Sequence, residues 1–258
     1  VDVINEVAKY SREYLELPKN SNKNLLFHLE KSGVFIFEKS IGEKIDAYSF
    51  WTKNDIPYIV LGNLNKSAVR RNFDLAHELG HLILHYNAYF TELDKSTYEK
   101  IEREANLFAG AFLLPEEEFV KDFRFLARVS NPDSYIELKH KWLVSIQVLA
   151  IRAKNLGLIT REQYSYFWRS ITRKGYKTIE PLDKELTISK PLKIESILKL
   201  LFENNVLSMH ELTDTRSGVD LEYLHVLTGI PKEFFECYRD HEESNHFDFE
   251  KIVQLKQG

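Results

Sequence analysis

The sequence predicts an α+β protein, mostly helical, with a small sheet inserted ahead of its longest helices. Two observations carry this. Apolar residues recur at three and four over most of the chain, the period of an amphipathic helix, whereas β-branched and aromatic runs bounded by Gly33, Gly42 and Gly62 are confined to residues 34–61. A third concerns the core. The chain has 17 Phe and 13 Tyr against 10 Gly and 7 Pro, enough apolar volume in 258 residues for one large domain or two modest ones.

Taken in order, Val3, Ile4, Val7, Tyr10, Tyr14 and Leu15 predict a helix over 3–16, followed by a polar loop from Pro18 to Asn24 and a short helix over 25–31. Residues 34–37, 45–51 and 57–61 read as strands of a small, mostly antiparallel sheet, whose edge either pairs with an extended peptide or only shelters the next helix. A turn over 63–67 leads to that helix, with Ser67 as its cap. Arg70 and Arg71 lie in its first turns, available to nearby acids or to a substrate carboxylate. After a loop over 87–94, a second long helix is expected to open on a Ser96/Glu99 capping box and to end at Pro115. Pro115 starts a further helix whose Glu116, Glu117 and Glu118 complement its dipole. Asn131-Pro132 breaks the chain. Ser145 caps a helix that runs to Asn155 with Gly157 as its stop, and Thr160 with Gln163 opens the next, to about Thr172. A connector over 180–191 precedes three or four short helices in 192–237. The implied division is 1–130, 131–180 and 181–258.

The chemistry concentrates in Phe73-Asp74-Leu75-Ala76-His77-Glu78-Leu79-Gly80-His81-Leu82-Ile83-Leu84-His85. Residues four apart share a helix face at about 5–6 Å, so His77 and His81 can converge on one cation. Glu78 stands beside that cation, where a base takes a proton from an attacking water. His85 is carried ~6 Å further along the axis and is not expected to be a ligand. Gly80 costs about 1 kcal/mol against Ala in a helix, which implies a close neighbour there. A His-Glu-x-x-His pattern also arises by chance in helices; a second segment argues against chance. In Ser96–Pro115, Tyr98, Ile101, Ala105, Phe108, Ala109 and Phe112 form one buried face, and Glu102 lies beside it. Small Ala105 and Ala109 would let this helix approach the first, so that Glu102 could supply a third ligand and leave a fourth position for water. Glu104, about 200° round the helix from Glu102, is expected to face solvent.

His77-Glu78-Leu79-Gly80-His81, then Glu102-x-x-Ala105-Asn106-x-Phe108-Ala109 running into Leu113-Leu114-Pro115, resembles the ImmA/IrrE family of metallopeptidases over roughly residues 10–180. The resemblance implies a zincin-like core, Zn2+ held by His77, His81 and Glu102, and Glu78 as general base. It implies a protein substrate as well, typically a helix-turn-helix repressor cut at one or few sites in gene regulation. Members often carry an amino-terminal helix-turn-helix of the repressor type; none is legible here, and the chain opens on Val1 rather than Met, which leaves room for an upstream segment.

Charge is unevenly spread. Residues 139–177 hold nine Lys or Arg against the single acid Glu162, a net +8 in a chain whose total is −4, so the remainder carries −12. With Tyr164, Tyr166 and Trp168 interleaved, this helix-turn-helix-like segment could face DNA, an acidic partner, or the acidic part of the same protein. One cysteine, Cys237, excludes an internal disulfide and fits a reducing cytoplasm. No apolar run reaches the ~20 residues a bilayer needs, and no secretory signal is visible. His241 and His246, in the acidic tail, lack a rigid element to hold a metal. The sequence thus predicts a cytoplasmic zinc endopeptidase, with a zinc-containing regulator that works by binding as the competing reading.

Overall fold

The computed structural model describes residues 2–39, 46–62, 67–86, 94–213 and 219–239. Residues 63–66 of the expected turn over 63–67, residues 87–93 of the expected interhelix loop over 87–94, and the tail histidines His241 and His246 lie outside these residues. Helices α1 (Asp2–Tyr14) and α2 (Leu25–Lys31) precede strands β1 (Phe35–Lys39), β2 (Ala47–Trp51) and β3 (Pro57–Gly62). The long helices α3 (Ala68–Leu84) and α4 (Lys95–Leu113) follow, then α5 (Glu116–Phe123), α6 (Ile136–Trp142), α7 (Ile146–Asn155) and α8 (Arg161–Lys174). Helices α9 (Lys193–Glu203), α10 (Met209–Leu212) and α11 (Leu221–Thr228) come last, and residues 232–239 are also helical.

The sheet order is β1-β3-β2, with β1 parallel and β2 antiparallel to β3. This corrects the expected antiparallel sheet to a mixed one. The reason lies in β3, where Ile59, Val60, Leu61 and Gly62 are all buried. A strand apolar on both faces belongs in the middle of a sheet. It therefore leaves the hairpin strand β2 on one side and β1 alongside it on the other. The alternation in β2 turns Ala47, Ser49 and Trp51 inward and exposes Tyr48 and Phe50. Trp51 Nε1 donates to the Leu82 carbonyl at 2.9 Å, which ties this edge strand to α3.

Helices α3 and α4 cross closely at Gly80. A Cβ there would lie 3.0 Å from a ring carbon of Phe108 and 3.3 Å from Cα of Ala105. Ser67 caps α3 through the Arg70 amide, as expected. The cap of α4, however, is Asp94 and not Ser96: its carboxylate takes the Thr97 amide at 3.0 Å and the Thr97 hydroxyl at 2.8 Å. A charged acceptor that also complements the helix dipole outcompetes a serine two residues on. At the other end, buried side chains receive the orphan carbonyls. Arg12 donates to Phe112 (2.8 Å), Asn22 to Leu113 (2.9 Å) and Arg152 to Leu114 (3.1 Å). Burial lowers the Arg12 guanidinium to about 10, still charged at neutral pH, and a cation at a helix carboxyl terminus is favourable.

One apolar cluster runs from Ala8 to Ile171, so Leu149, Trp142 and Phe167 of α6–α8 share the core of α1–α5. Phe202, Met209, Leu224, Ile230 and Phe235 form a second, smaller cluster. It is docked by Glu30, which accepts the Leu192 and Lys193 amides at 3.1 and 3.0 Å, and by Gly229, at φ 74°, where a Cβ would lie 2.3 Å from the Glu38 carbonyl oxygen. Among the described residues no helix is long and apolar enough to cross a membrane.

The crossing at Gly80 yields a measurable expectation. Gly80→Ala gains about 1 kcal/mol of helix propensity but overpacks a buried ring and backbone at a cost of about 1–3 kcal/mol, so it should lower stability by on the order of 1 kcal/mol. The midpoint of urea unfolding reads the sign, and an unchanged or higher midpoint would mean that the helices do not meet there.

Candidate metal centre

His77 and His81 sit one turn apart on α3, and Glu102 faces them from α4. Nε2 of His77 lies 3.0 Å from Nε2 of His81; the two Glu102 oxygens lie 3.4 Å from His77 and 3.3 Å from His81. These are the three groups whose ligand atoms converge within 4.8 Å of one another among the described residues. Tetrahedral coordination at about 2.0–2.1 Å separates donors by roughly 3.3 Å, so each of these separations, two of them to different oxygens of Glu102, is close to a donor–donor edge around one small cation. Burial lowers both imidazoles below 6.5, His81 to about 3 with His77 and His85 adding to the effect; for His77 the Glu102 charge opposes the shift. Both rings are therefore neutral at pH 7 and keep a lone pair for a cation.

The remaining ring nitrogen of His81 is also engaged. Its Nδ1 meets Nδ1 of His85 at 3.1 Å, and Nε2 of His85 meets Glu104 at 3.2 Å. A carboxylate only accepts, so Glu104 places the His85 proton on Nε2. Nδ1 of His85 must then accept from Nδ1–H of His81, which leaves Nε2 of His81 bare and aimed at Glu102. Glu104 thus does not simply face solvent, as its angle on α4 suggests. On the other flank, Ser49 of β2 donates to a Glu78 carboxylate oxygen at 2.7 Å and orients it at the cleft wall.

Comparison with known families bears on this geometry. The family model described as Peptidase_M78, IrrE N-terminal-like domain, matches residues 29–154. Residues 29–154 are thus similar to an IrrE N-terminal-like peptidase domain. No curated protein matches. Among solved structures, a Mycobacterium tuberculosis transcriptional regulator is similar at 15% identity and a TM-score of 0.42, over 58% of this chain. This chain spans 46% of that one.

The IrrE-like domain opens the triangle onto a cleft of about 1000 Å³. Its walls come from the β2 edge at Ala47–Ser49, from α4 at Tyr98 and Asn106, and from α7 and α8 at Val148 and Trp168. Asn106 turns its amide back to the Glu102 carbonyl at 2.8 Å. The Glu102 charge, with burial second, raises the Tyr98 phenol, so it stays a hydrogen-bond donor. The two arginines of α3 are engaged by acids, Arg70 with Asp46 at 2.7 Å on the surface and Arg71 with Glu38 at 3.1 Å in the interior. Four of the nine cations of 139–177 are also engaged within the fold, three by acids and Arg152 by the Leu114 carbonyl. Lys139 is fully buried between Glu180 (2.9 Å) and Asp183 (2.6 Å), Arg152 is buried at the end of α4, and Lys141 and Lys174 meet Asp122 and Asp133. Ser49, the His85–Glu104 pair and Tyr98 were not assigned functional roles from sequence. For Ser49 the signal existed, since period-two alternation puts it on the face of Ala47 and Trp51.

Two expectations follow from the buried imidazoles. His85→Ala removes the acceptor for Nδ1–H of His81 and should weaken Zn2+ binding by about 10–100-fold, with a smaller loss for Glu104→Gln, which keeps an acceptor; competition against a chromophoric chelator measures both, and unchanged affinity in His85→Ala would refute the relay. In the cation-free protein the unfolded chain protonates at 6.5 histidines that the fold holds neutral. Stability is thus unaffected above pH 6.5 and falls as the pH drops from 6.5 towards about 3. Urea midpoints over this window should show that slope, and His81→Asn should reduce it.

Proposed function

We propose that this chain is a zinc-dependent endopeptidase acting on a regulatory protein, with His77, His81 and Glu102 as ligands and Glu78 as general base. The observation that carries this reading is the triangle of two neutral imidazoles and a carboxylate, at 3.0, 3.3 and 3.4 Å, opening onto a cleft with a further carboxylate at its wall. The cleft is lined by an edge strand, which suits an extended peptide held by main-chain hydrogen bonds.

When bound, zinc would polarise the scissile carbonyl and make a water acidic enough to attack near neutral pH. Glu78, oriented by Ser49, takes the proton of the attacking water and delivers it to the leaving amine. Tyr98, kept protonated by the charge of Glu102, donates to the oxygen that becomes negative. The ImmA/IrrE resemblance supports a repressor of the helix-turn-helix type, or an antitoxin, as the protein cut. A reducing cytoplasm fits the single free cysteine, Cys237.

Metal analysis of the purified chain together with cleavage of the regulator encoded beside it tests this directly. Glu78→Gln should keep the cation and lower kcat by about 100–10,000-fold. Ser49→Ala should lower kcat by roughly tenfold. Cleavage that survives Glu78→Gln would remove the base assignment, and a wild-type protein that holds zinc yet cuts nothing would favour the binding role.

A further inference from the structure

The five cations of 139–177 left outside the interior and ion-pair contacts described above include four that converge. Lys154 on α7 and Arg161, Arg169 and Arg173 on α8 line a groove of about 700 Å³ together with Tyr164 and Trp168. All four are exposed, no carboxylate lines the groove, and none of the four forms an ion pair among the described residues. Lys154 stands over the Tyr164 ring at 4.7 Å, and Tyr164 meets Trp168 edge to face at 5.9 Å, so the floor is aromatic and the rim cationic. Trp168 is shared: it also lines the cleft that holds His77, His81 and Glu102. A polypeptide leaving that cleft over Trp168 therefore enters the groove.

We infer that this groove is an exosite for an acidic segment of the protein substrate, located to one side of the scissile bond. The inference rests on the peptidase reading for the word substrate, and on the groove itself for the chemistry. Exposed Lys and Arg around an aromatic floor receive Asp or Glu side chains at the rim and apolar or backbone atoms below. Continuity with a peptide cleft favours a polypeptide over a nucleic acid. So does charge: the chain outside 139–177 carries −12, which repels a long polyanion but not a short acidic stretch. Such an exosite would add selectivity among proteins that share a cleavable sequence, because it reads residues away from the reacting carbonyl.

The test uses the full chain carrying Glu78→Gln, so that binding is measured without turnover. Fluorescence anisotropy is recorded with a labelled peptide containing four consecutive glutamates, the same peptide with glutamines, and a labelled DNA duplex. The acidic peptide should bind at least tenfold more tightly than the glutamine peptide, weaken steeply with salt, and lose at least tenfold in Arg169→Glu/Arg173→Glu. In a protein with Glu78 intact, the double substitution should raise KM for an acid-flanked substrate and leave cleavage of a short uncharged peptide unchanged. Acidic-peptide binding that ignores the charge reversal overturns the exosite, as does DNA that outcompetes the peptide for the same residues. Cleavage of acid-flanked and uncharged substrates with equal KM overturns it while leaving the peptidase reading intact. Groove binding without any cleavage would leave the exosite chemistry standing and remove the peptidase reading instead.

Discussion

The site depends on the closeness of two helices. The histidines belong to α3 and Glu102 to α4, so the donor triangle exists only where these helices can nearly touch. Gly80 on one side, with Ala105 and the edge of Phe108 on the other, permits this. Helix axes separated by larger side chains sit towards 10 Å rather than 8 Å, a difference comparable to a metal–ligand bond. The clamps at both ends of α4 then fix its rotation. Asp94 holds the first turn and Arg12, Asn22 and Arg152 hold the last, so Glu102 faces the rings without local strain.

Electrostatics is arranged in layers around that crossing. Burial keeps the imidazoles of His77 and His81 neutral despite the carboxylate beside them. Two glutamates only two residues apart on α4 serve different ends of one ring: Glu102 faces Nε2 of His81, and Glu104 acts on Nδ1 through His85. Further out, the excess positive charge of 139–177 divides into an interior part that holds the fold together and an outer part left to solvent. Lys139 with Glu180 and Asp183 is the clearest interior case. The same Glu180 also receives the Ile146 and Gln147 amides at the start of α7, so a single carboxylate ties α6, α7 and the following segment.

Most of the helices, though not α6, and the residues that meet in the triangle could be read from the chain because they rest on local rules. Periodicity places α3 and α4, and four-residue spacing aligns His77 with His81. The small residues at 80, 105 and 109 signal close packing. What escaped depends on partners distant in sequence. Strand direction was misjudged because hydrophobic runs do not reveal which strand takes the centre of a sheet. Glu104 was placed by its angle on an isolated helix, whereas the reach of its side chain and the position of His85 on a different helix decide its contact. The start of α4 was misplaced because Asp94 and Ser96 are both competent caps and only the carboxylate wins the first turn. Lys139 and Arg152 are indistinguishable from surface cations until the acids and carbonyls they meet are known.

The family match begins at residue 29, yet the fold does not. Arg12 and Asn22 precede that boundary, and between them they receive the carbonyls of Phe112, Leu113 and Trp142. A fragment trimmed to the matched segment would leave these three acceptors without their donors in the interior, and would strip α1 from the flank of α4. The segment that holds Arg12 and Asn22 is thus a brace for the helix that carries Glu102, and it lies outside the stretch that the family signature covers.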